Sequence, residues 1–283
     1  MKTITKKHNY EWKGLIFILP SFLGVLLFVL IPFGDVIRRS FVGAVNEIFC
    51  GVDNYIAVFQ NTAFRLAAKN TLRFSFVCIP LLVVLSLIIG VFLYKQGRVA
   101  NVLKTIYLLP MAVPVASIVL LWKVLFDKQG TINGILNIFN ILPVDWMNTK
   151  FSFWVLVFSY IWKNLGYDVV LWMAGLSGIS ETIYEAARVD GAGEWKIFTK
   201  ITLPNLMPTL YTITVLSFLN SFKVFREAYL VAGDYPQTDM YLIQHLFNNW
   251  FRDMSFDKMS AAAVVMAAVI FILIVLLQRS WDT

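Results

Sequence analysis

Phe74-Ser-Phe-Val-Cys78-Ile-Pro80-Leu-Leu-Val-Val-Leu-Ser-Leu-Ile-Ile-Gly90-Val-Phe-Leu-Tyr94 decides the fold class. A run of roughly 20 apolar residues, wound as a helix, matches the hydrocarbon thickness of a bilayer. Lipid offers no partners to backbone polar groups, so such a run crosses as a helix. Four more runs, at residues 14–34, 105–122, 203–222 and 259–278, also contain no charged residue. A sixth, residues 151–176, is equally apolar except for Lys163 and Asp168. The expected fold is an all-α, polytopic membrane bundle of about six transmembrane helices. Its spans fall at about 14–36, 73–94, 105–126, 151–176, 203–230 and 259–279 within one membrane domain, residues 1–283.

Composition points the same way. Of 283 residues, 59% are hydrophobic and 14% charged, with a mean hydropathy of +0.71. A soluble domain carries about 25% charged residues, so the polar surface to cover a water-facing fold is missing. The net charge of +7 does not indicate nucleic acid. No basic stripe is interleaved with aromatics, as a phosphate backbone requires. The basic residues sit mostly in short loops between apolar runs, as the positive-inside rule expects. Cys50 and Cys78 have neither CxxC nor Cys/His spacing, so no metal site or disulfide framework is expected.

The first run follows Lys2, Lys6, Lys7 and Lys13. It is too long for a signal-peptide core and no small-residue cleavage site follows, so it reads as an uncleaved anchor. With the N-terminus inside, the inner segments hold eleven Lys and Arg and the outer loops eight. This predicts cytoplasmic N- and C-termini, although Arg38 and Arg39 directly after the first run oppose it.

Most inner loops are short. The exception, about residues 177–204, reads Gly178-Ile-Ser-Glu-Thr-Ile-Tyr-Glu-Ala-Ala-Arg-Val-Asp-Gly-Ala-Gly-Glu-Trp-Lys-Ile-Phe-Thr-Lys-Ile-Thr-Leu-Pro204. It reads as two short helices with a turn between them. Thr182 and Glu185 have capping-box spacing. Glu181 and Glu185 lie near the positive end of the first helix dipole. Ala186 and Ala187 make a low surface that another protein can approach. Gly191 is placed for the left-handed conformation that ends a helix. A second helix is expected at about residues 194–200. By physics alone this could be a cytosolic hairpin with no partner.

Glu185-Ala-Ala, Asp190-Gly-Ala, Phe198, Ile201, Leu203-Pro204 and Pro208 resemble the EAA loop of ABC importer permeases. Asp-Gly-Ala followed by Ile-Thr-Leu-Pro is similar to the carbohydrate-importing branch. Trp162, Gly166, Ala174-Gly175-Leu176, Ile179 and Phe222-Lys-Val-Phe225 fit the same pattern. Many members carry Gly-Gly-Pro after the fifth span, where this chain has Gly233-Asp-Tyr-Pro236. The resemblance implies that the loop is a coupling helix docking on a separate ATPase. The ATPase-coupling interface would be Glu185, Ala186, Ala187, Asp190, Gly191, Ala192, Phe198 and Pro204. It also implies a second permease subunit, an ABC ATPase dimer, an extracytoplasmic solute-binding protein and a carbohydrate substrate. The setting would be a bacterial cytoplasmic (inner) membrane with its lipids.

Ionisable groups at bilayer depth are expensive and mark function by default. Lys163 lies near the middle of the fourth run. Asn164 and Asp168 share a helix face with Tyr167 beside them, and Asn220, Lys223 and Glu227 share another. Two readings stand. Either these groups pair with one another or with a second subunit, Asp168 with Lys163 for example, or they line the solute path. Asn164, Tyr167, Asp168, Asn220, Lys223, Phe222 and Phe225 are the substrate-pathway candidates, aromatics suiting the C–H faces of a sugar.

The chain contains no GxxxxGK[ST] loop, so ATP and Mg are expected in a partner subunit and no cofactor in this one. An ion-coupled secondary transporter is the alternative, but no internal repeat of the kind such folds show is visible. A membrane enzyme is disfavoured because His8 and His245 have no accompanying constellation. No catalytic residue is expected.

Overall fold

The computed structural model describes residues 16–282 apart from Asn46, Lys95 and Gly97, without the side chains of residues 98–102 and 280–282. The basic prelude, His8, Gly14 at the start of the first expected span, and Lys95 lie outside the described residues. In chain order the helices begin with α1 (Ile16–Arg39), α2 (Asp53–Gln60) and α3 (Thr62–Tyr94). Next come α4 (Arg98–Ala112), α5 (Val115–Phe126), α6 (Thr131–Ile138) and α7 (Ser152–Ser177). The loop helices α8 (Glu181–Val189) and α9 (Glu194–Ile197) precede α10 (Met207–Ser221) and α11 (Phe225–Ala232). The chain continues with α12 (Ile243–Arg252) and α13 (Phe256–Asp282). Among the described residues the only extended pairing is the bridge between Val42 and Phe49.

The fold is an all-α membrane bundle. α1, α3 and most of α13 are each long and apolar enough to span a bilayer. α7, at 26 residues, reaches about 39 Å at 1.5 Å per residue, but carries the polar groups that lower its hydropathy. α10 continues through a 3-10 turn at Phe222–Val224 into α11.

The third expected span, 105–126, is not one straight helix. Leu103–Ala112 and Val115–Ile138 meet at 94°. Pro114 has no N–H to donate, and its ring disfavours helical geometry at Val113, so the helix stops there. Pro114 itself is extended, at φ −58° and ψ 141°.

The chain divides into two compact units, Thr62–Asn249 with Phe271–Thr283, and the described residues up to Asn61 with Trp250–Ile270. In the smaller unit, Asp35 accepts hydrogen bonds from Arg38 (3.0 Å) and Arg39 (2.7 Å). The two arginines that oppose the inside-positive count are thus partly balanced by a carboxylate one turn earlier. Asn54 ties the next segment down by donating to the carbonyls of Ser40 and Val42.

The larger unit is organised around α7. One face buries Phe153, Leu156, Val157 and Tyr160 against Phe74, Cys78 and Leu82 of α3. Farther along, Trp172 and Leu176 pack with Ile179, Leu206 and Ile213. Trp172 Nε1 donates to Ser86 Oγ at 3.0 Å, which satisfies a polar handle that burial would otherwise strand. Where α4 crosses α7, a Cβ on Gly166 would stand 1.8 Å from the Tyr107 carbonyl oxygen. Only glycine permits that approach.

The segment before α12 is held by long-range bonds. Asn70 donates to the carbonyls of Thr238 and Tyr241, and Thr71 Oγ1 accepts from the Ile243 N–H. His245 on α12 is fully buried between Phe225 and Tyr241. Its Nδ1 accepts the Leu242 N–H at 3.1 Å, which places the neutral ring's proton on Nε2. Burial pushes the imidazole down to about 4.

Candidate functional site

Two polar features stand apart from the core. The first is the helix–turn–helix at α8 and α9. Its N-cap is Ser180, not Thr182, so the expected Thr182–Glu185 capping box does not form. The reason is local: Ser180 Oγ and Thr182 Oγ1 bond each other at 2.7 Å, and Thr182 is already inside the helix. Glu181 in the first turn and Arg188 in the last complement the helix dipole.

The C-terminus of α8 is a Schellman turn. Ala192 N–H donates to Ala187 O at 2.9 Å and Gly191 N–H to Arg188 O at 3.0 Å. Gly191 takes φ +74°, where a side chain would strain the backbone although the space around it is open. The second helix is shorter than the expected 194–200. α9 ends at Ile197, and a π-helical turn at Phe198–Thr202 leads to Leu203-Pro204. Arg188 Nε reaches Glu194 Oε1 at 3.4 Å across the turn. Tyr184 anchors the inner side, packing on the Trp172–Leu206 cluster, with its hydroxyl 3.2 Å from Thr202 Oγ1.

The outer side faces away from the core. Glu185, Ala186, Asp190, Gly191 and Pro204 are exposed, and Ala187, Ala192 and Phe198 are half-buried. Beside them, sequence reasoning missed two large apolar groups, Val189 (87% exposed) and Trp195 (76%). The available signal is their apolar character on a helix face whose opposite side is already committed to the core. Beneath the hairpin lies an open cavity of about 810 Å³, lined by Tyr94, Leu176, Tyr184, Trp195 and Phe198 among others.

The second feature is a polar cavity of about 110 Å³ among α7, α10, α11 and Met111. Lys163 Nζ lies 2.6 Å from Glu227 Oε1, and the Glu227 side chain is 5% exposed. Glu227 Oε2 is buried with no hydrogen-bond partner. Lys223 Nζ donates to Asn220 Oδ1 at 2.7 Å. Asn164 Nδ2 donates back to the Tyr160 carbonyl at 2.8 Å.

Three of the pathway candidates, Asn164, Asn220 and Lys223, come together in this lining, with Lys163, Arg226 and Glu227. Tyr167, Asp168, Phe222 and Phe225 do not line it. Phe225 packs edge-on to His245 at 4.7 Å, and Phe222 against Phe218 at 5.4 Å. Asp168 does not pair with Lys163, which Glu227 occupies; its Oδ2 accepts from Ser217 Oγ at 2.9 Å. Sequence reasoning also missed Arg226, whose i, i+3 spacing from Lys223 is the signal available.

Residues 82–282 match the model of the family described as the binding-protein-dependent transport system inner membrane component. Among relatives, the trehalose/maltose transport system permease protein MalF of Thermococcus litoralis is 33% identical over 241 residues, 82% of each chain. The lactose transport system permease protein LacF of Rhizobium radiobacter is 27% identical over 95% of this chain and 93% of its own. A solved bacterial ABC transporter involved in import of the acidic polysaccharide alginate has a chain that superposes with a TM-score of 0.82. It covers 98% of this chain and 97% of its own at 23% identity, which speaks to the fold alone. A second structure of an alginate transporter, in complex with an alginate pentasaccharide-bound periplasmic protein, gives a TM-score of 0.80 at 24% identity, over 98% and 96%.

Proposed function

The chain belongs to the binding-protein-dependent transport system inner membrane components, and on that premise we propose how it works. It is the membrane-spanning permease subunit of an ATP-binding-cassette importer for a sugar or oligosaccharide, and it supplies half of the translocation pathway. The observation that carries the mechanism is the outward face of α8: a helix anchored inward by Tyr184 and ended by a Schellman turn at Gly191. An ABC ATPase dimer docks on this face through Glu185, Ala186, Ala187, Asp190, Gly191 and Ala192. Phe198 and Pro204 relay its movement into α10. ATP and Mg belong to that partner, and this chain is not itself an enzyme.

The other half of the pathway comes from a second permease subunit, and an extracytoplasmic solute-binding protein delivers the sugar. Support for the sugar is the naming of the relatives as trehalose/maltose and lactose permeases. Support for the delivery protein is the periplasmic protein bound to a structural neighbour. The polar cavity at Asn164, Asn220 and Lys223 is the stretch of pathway this subunit contributes. The whole chain, 1–283, acts as one permease domain in the bacterial inner membrane, with both termini cytoplasmic.

The test is reconstitution of the complete complex in proteoliposomes with labelled oligosaccharides. Uptake should require ATP, the ATPase and the binding protein together. Uptake on an ion gradient without ATP would sink the reading. Orientation is read from the native thiols: half-buried Cys50 should react with an impermeant reagent from outside, and buried Cys78 should not. Cys50 labelled only in inverted vesicles would reverse the topology.

A further inference from the structure

The polar cavity is unbalanced in charge. Its lining holds three cations, Lys163, Lys223 and Arg226, and one carboxylate, Glu227. Lys163 and Glu227 neutralise each other at 2.6 Å. Lys223 is bonded to a neutral amide oxygen, and Arg226 meets no carboxylate among the described residues. Two positive charges are left over. Lys163 stands 11 residues into the 26-residue α7, about 17 Å along it, so the cavity sits beside the middle of that helix. Lys223 and Arg226 are exposed, and cations on a membrane-spanning segment face protein or a watered path in preference to lipid.

Glu227 Oε2 is sealed from solvent and has no hydrogen-bond partner, so Lys163 on the other oxygen is what balances that carboxylate. The volume, about 110 Å³, has room for the substituents of a sugar ring but not for the ring. The surplus positive charge suits a ligand that carries an anion.

We propose that this cavity is a subsite for an acidic carbohydrate, of the uronate class, whose carboxylate meets Lys223 and Arg226. The proposal rests on the reading of the chain as a sugar-importer permease and names the substrate class. Lys163 then serves as a positioning residue: it keeps Glu227 neutralised, so that this carboxylate does not repel the substrate's own anion.

The experiment uses the complete complex with its binding protein in proteoliposomes. ATP-driven uptake of trigalacturonate and triglucuronate is compared with that of maltotriose and cellotriose, for the wild type and for Lys223→Gln/Arg226→Gln. The expected result is uptake of the acidic trisaccharides, reduced about tenfold or more in the double variant, with the complex assembled in normal yield. Uptake of neutral sugars with the acidic ones refused overturns this inference and leaves the importer reading intact. So does uptake of the acidic sugars that the double variant leaves unchanged. A double variant that no longer copurifies with the second permease also overturns it, because the cations then serve assembly. ATP-driven uptake of none of the four sugars counts against the importer reading itself, and this inference falls with it.

Discussion

The loop at α8–α9 and the cavity among α7, α10 and α11 both gather polar residues, but they satisfy them in opposite ways. In the loop, the bonds that set the shape are local: Ser180 to Thr182, Gly191 to Arg188, Ala192 to Ala187. The side chains on the outer face are left free for a partner. In the cavity, the decisive bond joins Lys163 to Glu227, 64 residues apart, and the carboxylate it holds is buried. The loop is therefore a surface whose backbone is rigid and whose energy is small. The cavity holds a pair of charges, Lys163 and Glu227, each of which depends on the other. Breaking the Lys163–Glu227 pair should hurt folding, and substitutions on the outer face of the loop should hurt association.

The sharpest way to break this contrast is Lys163→Ala. It strands Glu227 as a buried, unpaired carboxylate, a change that costs about 3–5 kcal/mol. The variant should be recovered in poor yield and melt early in detergent, and Lys163→Ala/Glu227→Ala should regain part of the loss. A single variant as stable as the parent would mean that the pair is not interdependent.

Next in size is a pH effect on the buried side. The folded His245 titrates at about 4, whereas an unfolded histidine titrates at about 6.5. Folding therefore favours the neutral ring. Its stabilisation is complete above 6.5 and is lost as pH falls toward 4, reaching about 2 kcal/mol at pH 5. Thermal melts between pH 7 and 5 should show the loss, and His245→Asn should flatten it. A parent and a variant with the same slope would remove His245 from the account.

Gly191→Val tests the loop's backbone. A β-branched residue at positive φ costs about 1–2 kcal/mol locally. The protein should still insert and melt close to the parent, yet fail to copurify with the ATPase. Normal association would deny the turn its coupling role.

Val189→Ser should have the smallest effect on folding, within about 0.5 kcal/mol, because the side chain is 87% exposed. ATPase capture should nonetheless weaken. Unchanged capture would show that this apolar group lies outside the docking surface.

How much of this was legible in advance follows the same divide. The outward face of the α8–α9 loop and the left-handed Gly191 are readable from residues close in sequence, because caps and turns are short-range. The Thr182 box was misread for the same reason in reverse: two hydroxyls two residues apart compete for the N-cap, and spacing alone does not choose between them. The break at Val113-Pro114 was available in principle, since proline removes a backbone donor, but a bundle tolerates many prolines. Pro80 sits inside α3, and the helix runs through it.

By itself the sequence determined the class of the protein. Six apolar runs with few charges cannot form a water-facing fold, because lipid length and backbone hydrogen bonding leave helices as the solution. Only the tertiary structure decided the partners of the membrane charges. Lys163 has a carboxylate five residues along its own helix, Asp168, and another 64 residues away, Glu227. The crossing of the helices chose the distant one, and Asp168 went to Ser217. A charge pattern records which groups need partners. Which partner each one meets depends on how close the backbones come, and at Gly166 that approach leaves no room even for a methyl group.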